Sequence, residues 1–196
     1  MKYLDARNLE CPKPVINTKK ELESITEGTL VVIVDNEIAK ENVLKLAKSM
    51  NCLAVSSEKE DGIYIQITKG NLQEDIKDEN VNLDITDKVI MISSEFMGKG
   101  SDELGKILIK GFLYTISESG KYPKSMLFIN SGVKLTTENE ETVESLKKLE
   151  SQGVDIQSCG TCLDYFNLKD KLKVGKISNM YDIVDTINKS SNTIVI

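Results

Sequence analysis

The sequence predicts an α/β protein in two pieces. Residues 1–70 read as a two-layer βαβαββ sandwich, and residues 88–196 as a three-layer, mostly parallel α/β sheet. Three observations carry this. Short apolar, β-branched runs alternate along the chain with stretches of helical spacing. Near the end of the first piece, Ile63, Ile65 and Ile67 alternate with Tyr64, Gln66 and Thr68, the period of a half-buried strand. Residues 71–87 then turn to Glu, Asp, Lys and Asn with few apolar side chains, as a solvated linker would.

In the first piece, Lys2–Ala6 is a short strand entering a tight loop. Val15, Ile16, Leu22 and Ile25 fall near helical spacing, with Lys19, Lys20 and Glu21 opposite them. Gly28 and Thr29 lead into Leu30–Val34, an apolar run typical of a buried strand. Asp35 and Asn36 stand where a second helix needs its cap, and Ile38, Val43, Leu44, Leu46 and Ala47 form its apolar face. Cys52–Ser56 is a short strand, and the turn Glu60-Asp61-Gly62 opens the last one. Cys52 reads as core, because free cysteine behaves as a small hydrophobe.

In the second piece, Val89–Ile92 is a buried strand, followed by a glycine-bearing loop and a helix over 102–117. Leu104, Ile107, Leu108, Phe112 and Leu113 mark the expected core face of that helix. Pro123 precedes a strand at Ser125–Ile129, which ends in the turn Asn130-Ser131-Gly132. A helix at 140–151 buries Val143, Leu146 and Leu149, and Gly153 leads to a strand at 154–157. Gly175–Ser178, a helix over 182–188 and a strand at 193–196 complete the alternation.

Chemistry concentrates on cysteine. Asn8-Leu9-Glu10-Cys11-Pro12-Lys13-Pro14-Val15 places Cys11 at the expected N-cap of the first helix, with Pro12 at its first position and Pro14 at its third. The first four helical N–H groups lack intrahelical acceptors, so two prolines break no helical bond there. A Cys11 thiolate would face the positive helix end, take the Lys13 N–H as its donor and sit near the Lys13 ammonium. The plain alternative is a buried, inert thiol beside a proline-started helix. In the second piece, ligands of a parallel sheet gather outside the carboxyl ends of the strands. There Cys159-Gly160-Thr161-Cys162 supplies the strongly nucleophilic side chains. Cys159 reads as the nucleophile and Cys162 as its resolving partner, against two buried structural thiols. Gly98-Lys99-Gly100-Ser101 lacks the spacing of a phosphate loop, so it reads first as a helix cap. Lys99, Asn130 and Asn179 are nonetheless candidate ligands for a small anion in the same region.

Composition narrows the classes. The chain has no histidine, which excludes Ser-His and Cys-His dyads and imidazole ligands. A net charge of −6, with a pI near 4.9, argues against nucleic acid or anionic membrane as a partner. No stretch approaches the ~18 apolar residues of a membrane span, and the N-terminus lacks a signal-peptide run, so a cytoplasmic location is expected. Only one close cysteine pair exists, which gives no four-cysteine metal site. No cofactor is expected.

Leu4-Asp5-Ala6 followed by Leu9-Glu10-Cys11-Pro12-Lys13-Pro14-Val15 resembles the Cys-Pro-x-Pro signature of the TusA/SirA family of sulfur carriers over residues 1–70. That resemblance implies a persulfide on Cys11, supported by Pro12, Lys13 and Pro14. Residues 88–196 resemble the DsrE/DsrF sulfur-relay family. The match is carried by Asn130-Ser131-Gly132-Val133-Lys134-Leu135, Cys159-Gly160-Thr161-Cys162-Leu163 and Asn179-Met180-Tyr181-Asp182. The two together resemble YedF-type selenium metabolism proteins. What this implies is a sulfurtransferase-like carrier of sulfur or selenium that relays cargo between Cys11 and the Cys159/Cys162 pair. A cysteine desulfurase, a selenophosphate synthetase and a second copy of the chain are its implied partners. Two other classes stay open on the residues themselves: a small-anion-binding or redox-sensing module, and a thiol–disulfide oxidoreductase through Cys159 and Cys162.

Overall fold

The computed structural model describes residues 1–70 and 84–196. Most of the linker expected at 71–87 lies outside the described residues. The described chain falls into two compact units, each with its own sheet.

The first unit runs β1 (Lys2–Asp5), α1 (Lys13–Glu23), β2 (Gly28–Val34), α2 (Glu37–Ser49), β3 (Leu53–Lys59) and β4 (Gly62–Lys69). Its sheet has the order β1-β2-β4-β3, with β1 parallel to β2 and the other pairs antiparallel. Alternation decides the core. Register sets Leu30 against Ile67, Val32 against Ile65 and Val34 against Ile63. All six are buried together with Leu22 of α1 and Ala39, Val43 and Ala47 of α2. Cys52 is also buried in this cluster, and burial pushes its thiol up. Ile38, expected on the core face of α2, is instead 71 % exposed. It sits in the first turn of the helix and lines the same pocket as Cys11.

The second unit runs β5 (Asp84–Ile92), α3 (Asp102–Glu118), β6 (Lys121–Phe128), a 3-10 helix (Asn130–Thr136), α4 (Glu140–Ser151), β7 (Asp155–Cys159) and α5 (Gly160–Tyr165). A short 3-10 turn (Lys169–Lys171), β8 (Lys176–Ser178), α6 (Met180–Asn188) and β9 (Asn192–Val195) complete it. Every pairing is parallel, in the order β8-β7-β6-β5-β9. Side chains alternate between two layers: Ile90, Ile92, Met126, Phe128 and Ile156 pack with α3, α4 and α5, while Val89, Leu127 and Cys159 pack with Ile183 of α6.

Several boundaries differ from expectation. The strand expected from Val89 begins at Asp84. Pro123 lies inside β6 rather than before it. It pairs with Thr86 on one side only, because β7 joins β6 from Ser125 onward, so its missing N–H costs no ladder bond on the β7 side. On α3, Gly105, Ile109, Leu113 and Ser117 form the buried stripe. Leu104, Ile107 and Leu108, expected in the core, are 53 %, 65 % and 45 % exposed. This helix is apolar on more than one side, and only the side carrying Ile109 and Leu113 meets the sheet. Among the described residues, no helix is long and apolar enough to cross a membrane.

Candidate functional site

The loop carrying Cys11 is tied down from two sides. Asp5, at the end of β1, accepts the Arg7 backbone N–H at 3.1 Å, and its two oxygens take Arg7 Nε at 2.9 Å and Nη2 at 2.7 Å. Nη1 of Arg7 reaches on to the Asp61 carbonyl at 3.0 Å. The Arg7 bonds hold the Asp5 carboxyl down to about 2, and the Asp5 carboxylate pushes the guanidinium up. On the other side, Asn8 adopts a left-handed φ of 59°, and its N–H donates to Asp35 at 2.6 Å. That bond, first of all, holds the Asp35 carboxyl below its ordinary range. Asp35 also accepts the Asn36 amide at 2.8 Å, and Asn36 caps α2 by accepting the Ala39 N–H at 2.9 Å. One hydrogen-bonded chain therefore joins the Cys11 loop to the start of α2.

Within that loop Cys11 is exposed, and its peptide bond to Pro12 is cis. The helix start is displaced by one residue from expectation. Pro12 is the N-cap, Lys13 the first helical residue and Pro14 the second. The Lys13 N–H, expected to face the Cys11 sulfur, donates instead to the Glu10 carbonyl at 2.9 Å. The N–H groups of Val15 and Ile16 go to the Pro12 carbonyl at 3.1 and 3.2 Å. Cys11 thus relies on its surroundings rather than on a capping bond. Beside it lies a pocket of about 40 Å³ between the starts of α1 and α2. Leu9, Pro14, Val15, Ile38 and Ala39 form its apolar wall, and Asn36 and Asn42 its polar one. None of these pocket residues except Pro14 was singled out as a site residue by sequence reasoning. The pocket is made by two helices distant in sequence, and no local pattern encodes it.

In the second unit, the carboxyl ends of β6 and β7 bring Asn130, Cys159 and Cys162 together. Cys159, the last residue of β7, is 3 % exposed among Val89, Leu127 and Ile183. Cys162 lies in the first turn of α5 and is half-buried. Its Sγ accepts the Asn130 backbone N–H at 3.1 Å, and the residue packs against the cluster that holds Cys159. Burial pushes the Cys162 thiol up, the Cys159 thiol adds to this, and the Asn130 N–H pulls the other way. Asn130 contributes its main chain here, in a left-handed φ of 50°.

Of the other expected ligands, Asn179 has structural employment and Lys99 stands apart from the cysteine pair's hydrogen bonds. Asn179 caps α6, accepting the Asp182 N–H at 3.0 Å and donating to the Asp182 carboxylate at 2.8 Å. Lys99 stands exposed between Gly98 and Gly100, while Ser101 caps α3 by accepting the Leu104 N–H at 3.3 Å. Nearby in sequence to Asn130, Lys134 is likewise engaged, paired with Glu95 and lying over the Phe166 ring at 5.3 Å.

The model of the sulfurtransferase TusA family matches residues 2–69. A "Putative sulfur carrier protein" of Methanocaldococcus jannaschii is 36 % identical over 70 residues, which span 35 % of this chain and 93 % of that protein. The chain belongs to the TusA family. The model of the DsrE/DsrF-like family matches residues 113–196, within the second unit. Among solved structures, a SirA-like protein of Desulfitobacterium hafniense is 35 % identical, with a TM-score of 0.35, and covers 36 % of this chain and all of its own. The ychN protein of E. coli is 17 % identical, with a TM-score of 0.41, over 56 % of this chain and 98 % of its own. The matches to these two families support a sulfur-transfer role for the chain.

Proposed function

We propose that this protein is a cytoplasmic, sulfurtransferase-like carrier that holds sulfur or selenium on Cys11 and passes it to the Cys159/Cys162 pair. The observation that carries the reading is the exposed Cys11 thiol beside its pocket of about 40 Å³. A buried water needs roughly 10–15 Å³, so the pocket takes about three water-sized groups. That suits the outer sulfur of a persulfide. Leu9, Pro14, Val15, Ile38 and Ala39 give the outer sulfur an apolar surrounding that slows attack on it by water and stray nucleophiles.

Loading is a thiol exchange. The Cys11 thiolate attacks the outer sulfur of a donor persulfide, the donor leaves as its thiolate, and Cys11 becomes Cys-S-SH. A cysteine desulfurase is the natural donor class. Selenium enters on the likeness of the two-part arrangement to selenium metabolism proteins, with selenophosphate synthesis as its destination. Intact-mass spectrometry after incubation with a cysteine desulfurase and cysteine tests the loading. The Cys159→Ala/Cys162→Ala variant, with Cys11 intact, gains about 32 Da, one sulfur on the persulfide ladder, and the same variant with Cys11→Ala added does not. Equal absence of the adduct in both proteins would end the reading. Replacing cysteine by selenocysteine in the same assay reports whether selenium loads.

A further inference from the structure

The two cysteines of the second unit are not equivalent, and their placement sets an order of events. Cys159 is 3 % exposed, closed in by Val89, Leu127 and Ile183, so an incoming persulfide cannot approach it. Cys162 is partly open to solvent, with exposed Asn130, Thr161 and Tyr165 around it, and its sulfur already holds the Asn130 N–H at 3.1 Å. Cys162 packs against the cluster that holds Cys159, so the Cys159 thiol lies beside the inner sulfur of anything carried on Cys162.

We infer that Cys162 is the accepting thiol and Cys159 the buried resolving thiol, and that the pair unloads the cargo reductively as sulfide or selenide. This reverses the assignment that the strand-end position of Cys159 suggested. It deepens the carrier reading and rests on it for the source of the cargo. First, the Cys162 thiolate attacks the outer sulfur of a persulfide R–S–SH, R–S⁻ leaves, and Cys162–S–SH forms. Second, the Cys159 thiolate attacks Cys162 Sγ, the Cys159–Cys162 disulfide forms, and HS⁻ leaves with the proton given up by Cys159. The sulfane sulfur is reduced by two electrons and the two thiols are oxidised by two. In sum, R–S–SH and two protein thiols give R–SH, one disulfide and H₂S. A dithiol reductant resets the pair. Selenium follows the same balance and leaves as hydrogen selenide.

The Asn130 N–H stabilises the Cys162 sulfur as it becomes a thiolate. The apolar surroundings of Cys159 keep it from competing donors and confine its chemistry to one neighbour.

The test uses the full chain in a Cys11→Ala background, with glutathione persulfide as donor and three readouts: intact mass, peptide mapping and released sulfide. The expected result for the background protein is a loss of about 2 Da and close to one sulfide per chain. With Cys159→Ala added, a persulfide of about +32 Da accumulates on Cys162 and sulfide release falls at least tenfold. With Cys162→Ala added, Cys159 stays unmodified. Because alanine in the cluster can disturb packing, Cys159→Ser is run alongside and must give the same trapped adduct. A persulfide on Cys159 in the Cys162 variant, or undiminished sulfide release without Cys159, overturns the inference. The double variant Cys159→Ala/Cys162→Ala, with Cys11 intact, separates the two readings. Its Cys11 adduct reports the carrier function alone.

Discussion

Gly132 sits where the 3-10 helix Asn130–Thr136 crosses the end of β5, and it leaves no room for a side chain. A Cβ built on Gly132 would lie 2.4 Å from the Ile92 carbonyl oxygen and 3.1 Å from the Ile92 carbonyl carbon. Ordinary contact begins near 3.4 Å, so Gly132→Ala forces the 3-10 helix back by about 1 Å. The obstacle is backbone and cannot rotate away. Overpacking of this kind costs about 1–3 kcal/mol. The shift also disturbs the Asn130 N–H bond to Cys162, since Asn130 and Gly132 belong to the same short helix. Denaturant unfolding should show the second unit of Gly132→Ala destabilised by about that amount. Alkylation of Cys162 by iodoacetamide should change rate, while that of Cys11 should not. An unfolding free energy within about 0.5 kcal/mol of wild type, the range of a bland surface change, would refute the close-approach argument.

Three further outcomes follow from the structure. Ile38 is 71 % exposed yet walls the Cys11 pocket, so Ile38→Ala should leave stability within about 0.5 kcal/mol. It should shorten the lifetime of the Cys11 persulfide, followed by timed mass spectrometry. Asp5 is held at about 2 against an ordinary 3.8, so its contribution to the first unit is complete above that ordinary value and is lost as pH falls toward 2. Acid unfolding of Asp5→Asn should therefore be less steep in that window, by circular dichroism. The Cys162 thiol is pushed up, so the fold favours its protonated form. Its contribution is present below the ordinary thiol value and lost as pH rises through the raised one. Alkylation of Cys162 should accordingly keep climbing at a pH where an unfolded chain's thiols have levelled off.

How much was legible in the chain depended on how local each cause is. The β4 alternation of Ile63, Ile65 and Ile67 named the buried face, because a period of two maps directly onto one side of a sheet. The α4 core of Val143, Leu146 and Leu149 was legible for the analogous helical reason. The face of α3 was not. Apolar residues lie on more than one side of that helix, and periodicity cannot say which side a sheet will meet. The start of α1 was misplaced by one residue because the Lys13 N–H turns to Glu10 within a loop anchored by Asp35, twenty-seven positions from Asn8. Likewise, the Cys-x-x-Cys spacing announced a reactive pair but not which member is hidden. That follows from the pleat of β7, which turns Cys159 toward α6.

The relay itself is tested most directly by a single-turnover chase. Cys11 of the full chain is loaded with isotopically labelled sulfur by a cysteine desulfurase, excess donor is removed, and peptides are mapped against time. The account predicts label first on the Cys11 peptide, then on Cys162, and finally in released sulfide as the Cys159–Cys162 disulfide appears. Label that stays on Cys11 while Cys159 and Cys162 remain reduced would contradict it.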